Sequence, residues 1–137
     1  MSVLFPGSFD PFTSGHKNII DRALRLFDRV VVAVGVNSDK HYMYSVDERV
    51  ALIHQAMGDD NRVEVVSYSG MTVDLCRRLD IHCIVRGVRN PHDMEYEQTV
   101  AAVNRTLAPD IDTILLIADN EYKDISSTLE REKLLHS

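Results

Sequence analysis

The chain has 137 residues, of which 45% are hydrophobic and 26% are charged, and its formal net charge at pH 7 is -6. This size and composition are typical of one globular domain, so we expect a single domain over residues 1–137. The negative charge argues against a broad nucleic-acid-binding face, which needs clustered lysine and arginine side chains.

The sequence also argues against membrane and secreted classes. No apolar run approaches the roughly 20 residues that cross a bilayer, and residues 1–5 lack the basic segment that opens a signal peptide. Cys76 and Cys83 form neither a CxxC pair nor a metal-ligand spacing, and both stand in apolar surroundings. We therefore expect a cytoplasmic protein with two buried, reduced thiols.

Short apolar runs rich in β-branched residues predict the strands. In chain order they cover residues 3–5, 30–36, 63–66, 81–85 and 113–117. Continuous apolar runs of this kind are typical of strands that are buried on both faces of a parallel sheet.

Helical patterns lie between these runs. The first helix is predicted to begin near Ser14, with an apolar stripe at Ile19, Ile20, Ala23, Leu24 and Phe27. Residues 45–48 have the capping-box form and open a second helix, with apolar positions at Val50, Ala51, Ile53 and Met57. A third helix is predicted over residues 72–79. Pro91 opens a fourth, which ends before Pro109 and has apolar positions at Met94, Val100, Val103 and Leu107. A last helix is predicted after Ser126 and Ser127.

The alternation of strands and helices predicts right-handed βαβ units. The expected fold is therefore α/β: a single doubly wound, Rossmann-like domain with a five-stranded parallel sheet flanked by helices. Such sheets bind ligands beyond the carboxyl ends of the strands, where the strand order reverses. If the first strand lies beside the fourth, residues 6–8 and 86–89, as the exits of those strands, form the walls of that crevice.

Residues 6–16 have the composition of an anion-binding turn. A predicted strand ends, a turn rich in proline and glycine follows, and the first helix begins near Ser14. Free backbone N–H groups and the positive dipole end of a helix N-terminus favour phosphate. Gly15 permits a ligand to approach the backbone closely, and the ring of His16 can donate to the same anion. A helix N-cap followed by a surface histidine is the alternative interpretation.

Two segments resemble the signatures of a known superfamily. The turn at residues 6–11, followed by Thr13-Ser14-Gly15-His16, resembles the T/HxGH signature of the nucleotidyltransferases. Members of this superfamily transfer nucleotides without a covalent enzyme intermediate. Ile125-Ser126-Ser127-Thr128 resembles their second signature, ISSS or ISST. The two segments stand in the expected order and far apart, which makes the resemblance specific.

Within this superfamily, further features are similar to the phosphopantetheine adenylyltransferase family. Lys40 follows the second predicted strand, Arg86-Gly87-Val88-Arg89 stands in place of the motif RGLR, and residues 93–97 stand in place of DFEYE. Asn104 and Arg105 continue the match on the same helix. The resemblance covers nearly the whole chain.

The resemblance implies an adenylyltransferase of coenzyme A biosynthesis, which transfers AMP from ATP to 4′-phosphopantetheine by direct in-line attack and releases dephospho-coenzyme A and pyrophosphate. His16 would stabilise the transition state, with Lys40 and Arg89 as further catalytic residues. Phosphopantetheine would be bound by Ser8, Lys40, Thr72 and Arg86. ATP would be bound by Ser8, Phe9, His16, Gly87, Val88, Arg89, Glu97, Tyr122, Lys123, Asp124, Ile125, Ser126, Ser127 and Thr128. By the same resemblance we expect a homohexamer built from two trimers.

Elementary chemistry agrees with these roles. A phosphomonoester has a second pKa of about 6, so at pH 7 it is already a dianionic nucleophile and requires no general base. Positioning supplies roughly 7–11 kcal/mol of the barrier reduction, and preorganised donors add about 3–4 kcal/mol each. We expect Mg²⁺ as the cofactor. No cluster of aspartate and glutamate forms a protein cage for it, so the metal is expected to arrive on the ATP phosphates.

Alternative interpretations remain open. The first is another superfamily enzyme, a nicotinamide-mononucleotide adenylyltransferase or a cytidylyltransferase. Ser127-Thr128 followed by Arg131 slightly favours it, but Lys40 with residues 86–89 and 93–97 argues more strongly against it. A catalytically silent nucleotide-binding module is the second, although no signature histidine or arginine is lost. Individually, Arg86 and Arg89 can be solvated rim charges, Glu97 an exposed helix residue, and residues 126–128 a plain N-cap.

Two departures from the family accompany the resemblance. Ser8 stands where the family usually has threonine, which keeps the hydroxyl but removes a methyl group. The chain ends at Ser137, where relatives usually continue into a further segment. We interpret this as either a short protein or a trimmed sequence.

Overall fold

A computed structural model describes residues 1–122 together with Arg131 and Leu134. Its strands are β1 (Ser2–Gly7), β2 (Arg29–Gly35), β3 (Val63–Tyr68), β4 (Cys83–Val88) and β5 (Asp112–Ile117). Its helices are α1 (Ser14–Ala23), α2 (Val46–Met57), α3 (Thr72–Leu79) and α4 (Pro91–Leu107). The five strands are parallel and lie in the order β3-β2-β1-β4-β5. The predicted α/β fold with a five-stranded parallel sheet is confirmed.

The strand order reverses between β1 and β4. The chain runs outward from β1 through β2 to β3 and then returns to place β4 on the other side of β1, where Leu4 pairs with Ile84. In a doubly wound sheet this reversal leaves a crevice beyond the carboxyl ends of the two strands. The crevice expected at residues 6–8 and 86–89 therefore lies at this edge of the sheet.

The core fills both faces of the sheet because successive side chains of a strand point to opposite faces. Val3 and Phe5 of β1 lie in one apolar cluster with Ile20 of α1 and Ile53 of α2. Leu4 lies in a second cluster on the opposite face, which includes residues of α3. Burial of β1 on both faces explains why its sequence is continuously apolar.

Two helix starts are stabilised by capping boxes. The Ser45 hydroxyl accepts from the backbone N–H of Glu48 at 3.1 Å, and the Glu48 carboxylate accepts from the N–H of Ser45 at 3.1 Å. This confirms the predicted capping box of α2. At α1 the cap is Thr13, and its reciprocal partner is the side chain of His16.

Some predicted boundaries were wrong. Residues 86–88 do not follow β4 but form its last residues, because the ladder to β5 continues through Val88. That strand also starts at Cys83 and not at Ile81, since Asp80 closes α3 in the left-handed region with φ 55°. Helix α1 ends at Ala23, so Leu24 and Phe27 lie beyond it, although both pack against the first apolar cluster.

Other predicted elements have mixed outcomes. Helix α4 begins at Pro91 as predicted, but Val103 and Leu107 are 54% and 47% exposed and do not join the core. Cys76 and Cys83 are buried and unpaired, as predicted, and burial raises the pKa of the Cys76 thiol to about 11. The predicted last helix lies outside the described residues. In the described part of the chain, every helix is too short or too polar to cross a membrane.

Candidate active site

Two cavities lie at the carboxyl edge of the sheet and share part of their lining. The Lys40 cavity, of about 320 Å³, extends from the ends of β1 and β4 toward β2 and α3. The His16 cavity, of about 350 Å³, extends toward the start of α1 and the end of β5. Residues common to both linings are Gly7, Ser8, Arg86, Tyr96 and Glu97.

The Lys40 cavity contains every residue that the sequence assigned to phosphopantetheine. Ser8, Lys40, Thr72 and Arg86 all contribute to its lining. The hydroxyl groups of Thr72 and Tyr68 lie 2.9 Å apart, and this hydrogen bond orients the Thr72 side chain at the N-terminus of α3. Three of these four residues come from segments that are more than 30 positions apart in the chain, so only the fold brings them together.

Of the eight residues assigned to ATP that the structure describes, seven line the His16 cavity. They are Ser8, Phe9, His16, Gly87, Arg89, Glu97 and Tyr122. Val88 does not belong to this set, because its side chain is only 3% exposed in the core and its carbonyl accepts from the backbone N–H of Ala118 at 2.8 Å. Lys123, Asp124, Ile125, Ser126, Ser127 and Thr128 lie outside the described residues.

The ring of His16 is held in one tautomer by the residue that caps α1. The backbone N–H of Thr13 donates to Nδ1 of His16 at 3.0 Å, and the Thr13 hydroxyl accepts from the backbone N–H of His16 at 3.3 Å. Because Nδ1 accepts a hydrogen bond, the single proton of the neutral ring is on Nε2. His16 therefore offers an N–H donor on the side of the ring opposite Thr13.

His16 is neutral at physiological pH. Burial, together with the smaller effect of the positive charges of Arg86 and Arg89, lowers the pKa of His16 from 6.5 to about 3. The rings of Phe9 and Phe12 lie 4.9 and 5.5 Å from the imidazole, which removes water from much of its surface. This histidine can stabilise developing negative charge by donating a hydrogen bond, without carrying a charge of its own. His16 is half-buried and lines the His16 cavity, and the N-cap part of the alternative interpretation is confirmed because Thr13 caps α1.

Phe9 supports His16 from within the core. Its side chain is 2% exposed, and its backbone has φ 50°, in the left-handed region that a bulky residue rarely adopts. A Cβ atom on Gly7 would lie 3.0 Å from the Phe9 ring, so any larger residue there would require the ring to shift. Strain of this kind concentrates at functional sites. Here it places an aromatic edge against the imidazole.

Arg86 and Glu97 form an ion pair between the two cavities. Nε and Nη2 of Arg86 donate to the Glu97 carboxylate at 3.0 and 2.8 Å, and Nη1 donates to the Pro6 carbonyl. Glu97 is only 5% exposed, so the interpretation of an exposed helix residue is wrong. Each terminal nitrogen of Arg86 carries a second N–H that these bonds do not use. Arg86 is therefore fixed in orientation and still able to bind an anion.

Arg89 is held at the start of α4. Its Nε donates to the Asp93 carboxylate at 2.9 Å, and its backbone N–H donates to the same group at 3.2 Å. Arg89 lines the His16 cavity and does not line the Lys40 cavity. The two arginines of the RGVR segment thus have different positions relative to the cavities.

Comparison with known proteins assigns the chain to a family. The family model described as cytidylyltransferase-like matches residues 4–133. A phosphopantetheine adenylyltransferase from Flavobacterium johnsoniae is 44% identical over 134 residues, which cover 98% of this chain and 88% of the relative. This chain belongs to the phosphopantetheine adenylyltransferase family. A relative of the same name from Phocaeicola vulgatus is 46% identical over 132 residues, 96% of this chain and 87% of the relative.

Solved structures share the fold at lower identity. A bifunctional NMN adenylyltransferase/ADP ribose pyrophosphatase from Francisella tularensis superposes on this chain with a TM-score of 0.75 and 18% sequence identity. The superposition covers 98% of this chain and 42% of the Francisella chain. A lipopolysaccharide core biosynthesis protein from Thermoplasma volcanium has a TM-score of 0.59, with 20% identity, 87% of this chain covered and 96% of that chain. At these identities the likeness concerns the fold alone.

The resemblance to phosphopantetheine adenylyltransferases assigned no role to Asp10, which the structure places under the site. Asp10 is 4% exposed, and its carboxylate accepts from the backbone N–H groups of Met43 and Tyr44 at 2.8 and 2.9 Å. It ties the loop of residues 37–44, which carries Lys40 and is called here the Lys40 loop, to the turn after β1. An aspartate before a proline gave no sequence signal for this role, since such residues are common in turns.

Arg49 was also missed by sequence reasoning. It is 1% exposed, and its Nη1 donates to the carbonyls of Ser8 and Gly35 at 2.9 Å each. A sequence signal existed, because Arg49 stands four positions before Ile53 and therefore on the apolar stripe of α2. In the phosphopantetheine adenylyltransferase signatures quoted above, this position has no assigned part.

Proposed function

We propose that this protein is an adenylyltransferase of coenzyme A biosynthesis that transfers AMP from MgATP to 4′-phosphopantetheine, giving dephospho-coenzyme A and pyrophosphate. The observation that carries the proposal is that the two cavities adjoin each other, with Ser8 and Arg86 in the lining of both. Residues assigned to the acceptor line one cavity, and residues assigned to the nucleotide line the other. The printed name of the relatives supports the same reaction.

In this proposal the acceptor phosphate lies in the Lys40 cavity. Lys40 and the unused N–H groups of Arg86 bind it as a dianion, which needs no base because its second pKa is about 6. Glu97 holds the Arg86 guanidinium still, so the phosphate does not have to order it on binding. An oxygen of this phosphate is the nucleophile.

The nucleotide lies in the His16 cavity in this proposal. The attacking oxygen forms a bond to the α-phosphorus while the bond from that phosphorus to the pyrophosphate oxygen breaks, and the bonding electrons leave with pyrophosphate. Free N–H groups at the start of α1 bind phosphate oxygens, and Arg89 lines the same cavity. Nε2–H of His16 donates to the α-phosphate as negative charge develops, which lowers the barrier by electrostatic stabilisation.

The carboxylates of the site already have hydrogen-bond or ion-pair partners, so we expect Mg²⁺ to arrive bound to ATP. Glu97 and Asp93 are paired with Arg86 and Arg89, and Asp10 accepts from backbone N–H groups. Over residues 1–122, Arg131 and Leu134, no group of three or more potential metal-binding side chains occurs. We therefore propose that phosphate oxygens and water supply the ligands of Mg²⁺, which prefers this environment. When bound with ATP, the metal would supply positive charge beside the departing pyrophosphate.

A substrate-choice assay tests the proposal. Purified protein is given MgATP with 4′-phosphopantetheine or with nicotinamide mononucleotide, and MgCTP with glycerol 3-phosphate, while pyrophosphate release and product mass are followed. We expect dephospho-coenzyme A as the efficient product. Faster turnover of nicotinamide mononucleotide or of CTP would assign the protein to another activity of the superfamily, and no turnover of any pair would favour a silent binding module.

We also propose a cytoplasmic homohexamer of single-domain chains. The proposal rests on the family resemblance, and exposed apolar side chains support contact with further copies. Val103 and Leu107 of α4 are 54% and 47% exposed, and Ile117 at the end of β5 is 67% exposed. Light scattering at micromolar protein measures the mass. The mass of one chain would contradict the hexamer.

A further inference from the structure

Arg49 is a buried cation with no carboxylate partner in the described part of the chain. Its contacts there are the carbonyls of Ser8 and Gly35 and the ring of Tyr42, whose centroid lies 4.0 Å from the guanidinium carbon. Its Nε is buried and has no hydrogen-bond partner among those residues. Burying a charge is costly unless other interactions compensate. A residue kept here for packing alone would be apolar.

The three contacts of Arg49 connect three separate walls of the Lys40 cavity. Ser8 belongs to the turn after β1, Gly35 ends β2, and Tyr42 belongs to the Lys40 loop. All three residues line the Lys40 cavity, whereas Ser8 alone among them lines the His16 cavity. The effect of Arg49 is therefore directed mainly to one of the two cavities.

Tyr42 transmits the position of Arg49 to Lys40. The Tyr42 hydroxyl accepts from the backbone N–H of Asn37 at 3.0 Å, and the backbone N–H of Lys40 donates to the Asn37 carbonyl at 3.0 Å. These bonds close the loop around the residue that carries the exposed ammonium group. Arg49 lies against the Tyr42 ring and so fixes the side of the loop that faces the cavity.

We propose that Arg49 is a positioning residue for the acceptor phosphate. It aligns the Ser8 turn, the end of β2 and the Lys40 loop, so that Lys40 and Ser8 meet the phosphate in one arrangement. The inference rests on the proposed function and adds a residue to it. Arginine suits this role because its planar group donates in its plane while its face stacks on an aromatic ring, which lysine cannot do simultaneously.

The principal test compares Arg49→Met and Arg49→Lys with Arg62→Met. Arg62 is an exposed arginine that pairs with Asp60 before β3, at the edge of the sheet opposite the site. We expect Arg49→Met to lower kcat/KM for phosphopantetheine by about 10²-fold, as for a misplaced binding group. The Kd of MgATP, measured by calorimetry, should change less than about threefold. Arg49→Lys should recover part of the loss, and Arg62→Met should match the wild type.

A second variant keeps the test decisive if Arg49→Met does not fold. Tyr42→Leu removes the stacked ring and leaves both carbonyl contacts of Arg49, so we expect a higher KM for phosphopantetheine with unchanged MgATP binding. Equal losses for both substrates in folded variants would overturn the inference, as would an unchanged KM for phosphopantetheine in Arg49→Lys and Tyr42→Leu. An inactive wild-type protein would instead overturn the proposed function, and the inference with it.

Discussion

Thr13 and His16 hold each other at the start of α1 through reciprocal hydrogen bonds. The backbone N–H of Thr13 donates to Nδ1 of His16 at 3.0 Å, while the Thr13 hydroxyl accepts from the backbone N–H of His16 at 3.3 Å. The bond to the Thr13 hydroxyl caps the helix, and the bond to Nδ1 selects the tautomer of the ring. The helix start and the proposed transition-state donor are therefore built from the same two residues.

The first prediction concerns catalysis by His16. We expect His16→Ala to lower kcat and kcat/KM by similar factors, about 10²–10³, which is typical of the loss of one preorganised donor. MgATP binding should change little, because the N-terminus of α1 and Arg89, the proposed binding groups of the ground-state phosphates, remain in place. Steady-state kinetics and ATP calorimetry measure the two effects. An unchanged kcat with a collapsed ATP affinity would make His16 a ground-state binding residue.

The second prediction concerns stability and pH. The pKa of His16 is lowered from 6.5 to about 3 by burial first and by the two arginines second. The unfolded chain therefore binds this proton below pH 6.5 while the folded chain does not, so folded-state stability falls as pH decreases from 6.5 toward 3. Between pH 7 and pH 5 the unfolding free energy of the wild type should fall by about 1–2 kcal/mol relative to His16→Ala.

Urea titrations at several pH values measure this difference. The control is His54→Ala, which removes an exposed histidine of α2 that lies outside both cavities. A constant difference between wild type and His16→Ala across this range would mean that the ring has the same pKa in the folded and the unfolded protein.

The third prediction separates the two arginines. Arg86 lines both cavities and Arg89 lines the His16 cavity alone. We expect Arg89→Ala to raise the KM of ATP with little change for phosphopantetheine, and Arg86→Ala to impair the use of both substrates. Initial rates with each substrate varied in turn provide the measurement. A selective loss of phosphopantetheine in Arg89→Ala would show that the nucleotide and the acceptor occupy the opposite cavities.

The fourth prediction concerns Glu97. Glu97→Ala removes the carboxylate that orients Arg86 through contacts at 2.8 and 3.0 Å. We expect a loss of stability of about 1–3 kcal/mol, because a partly buried charge loses its partner, together with a higher KM for phosphopantetheine. Glu95→Ala, at an exposed position of the same helix, is the matched control. Thermal melts and kinetics compare the two variants. Equal stability and equal KM for phosphopantetheine in both would show that Glu97 has no role in the site.

Much of the fold follows from local sequence patterns. The apolar runs predict five parallel strands, and the Ser45 capping box marks the first turn of α2. The boundary of β4 was less accessible, because Arg86 and Gly87 look like loop residues and become strand residues only through their ladder to β5. Val103 and Leu107 have helical spacing but remain exposed, since periodicity alone does not say what covers a face.

The sequence by itself determined the order of strands and helices, the helix caps and the identity of the side chains at each strand end. Only the tertiary structure decided the protonation, orientation and burial of these side chains. The low pKa of His16 comes from aromatic rings and from arginines about 70 positions away along the chain. The orientation of Arg86 depends on Glu97 in α4, and the burial of Arg49 depends on carbonyls at the ends of two strands. Desolvation and ion pairing act through space, so a pattern of neighbouring residues cannot report them.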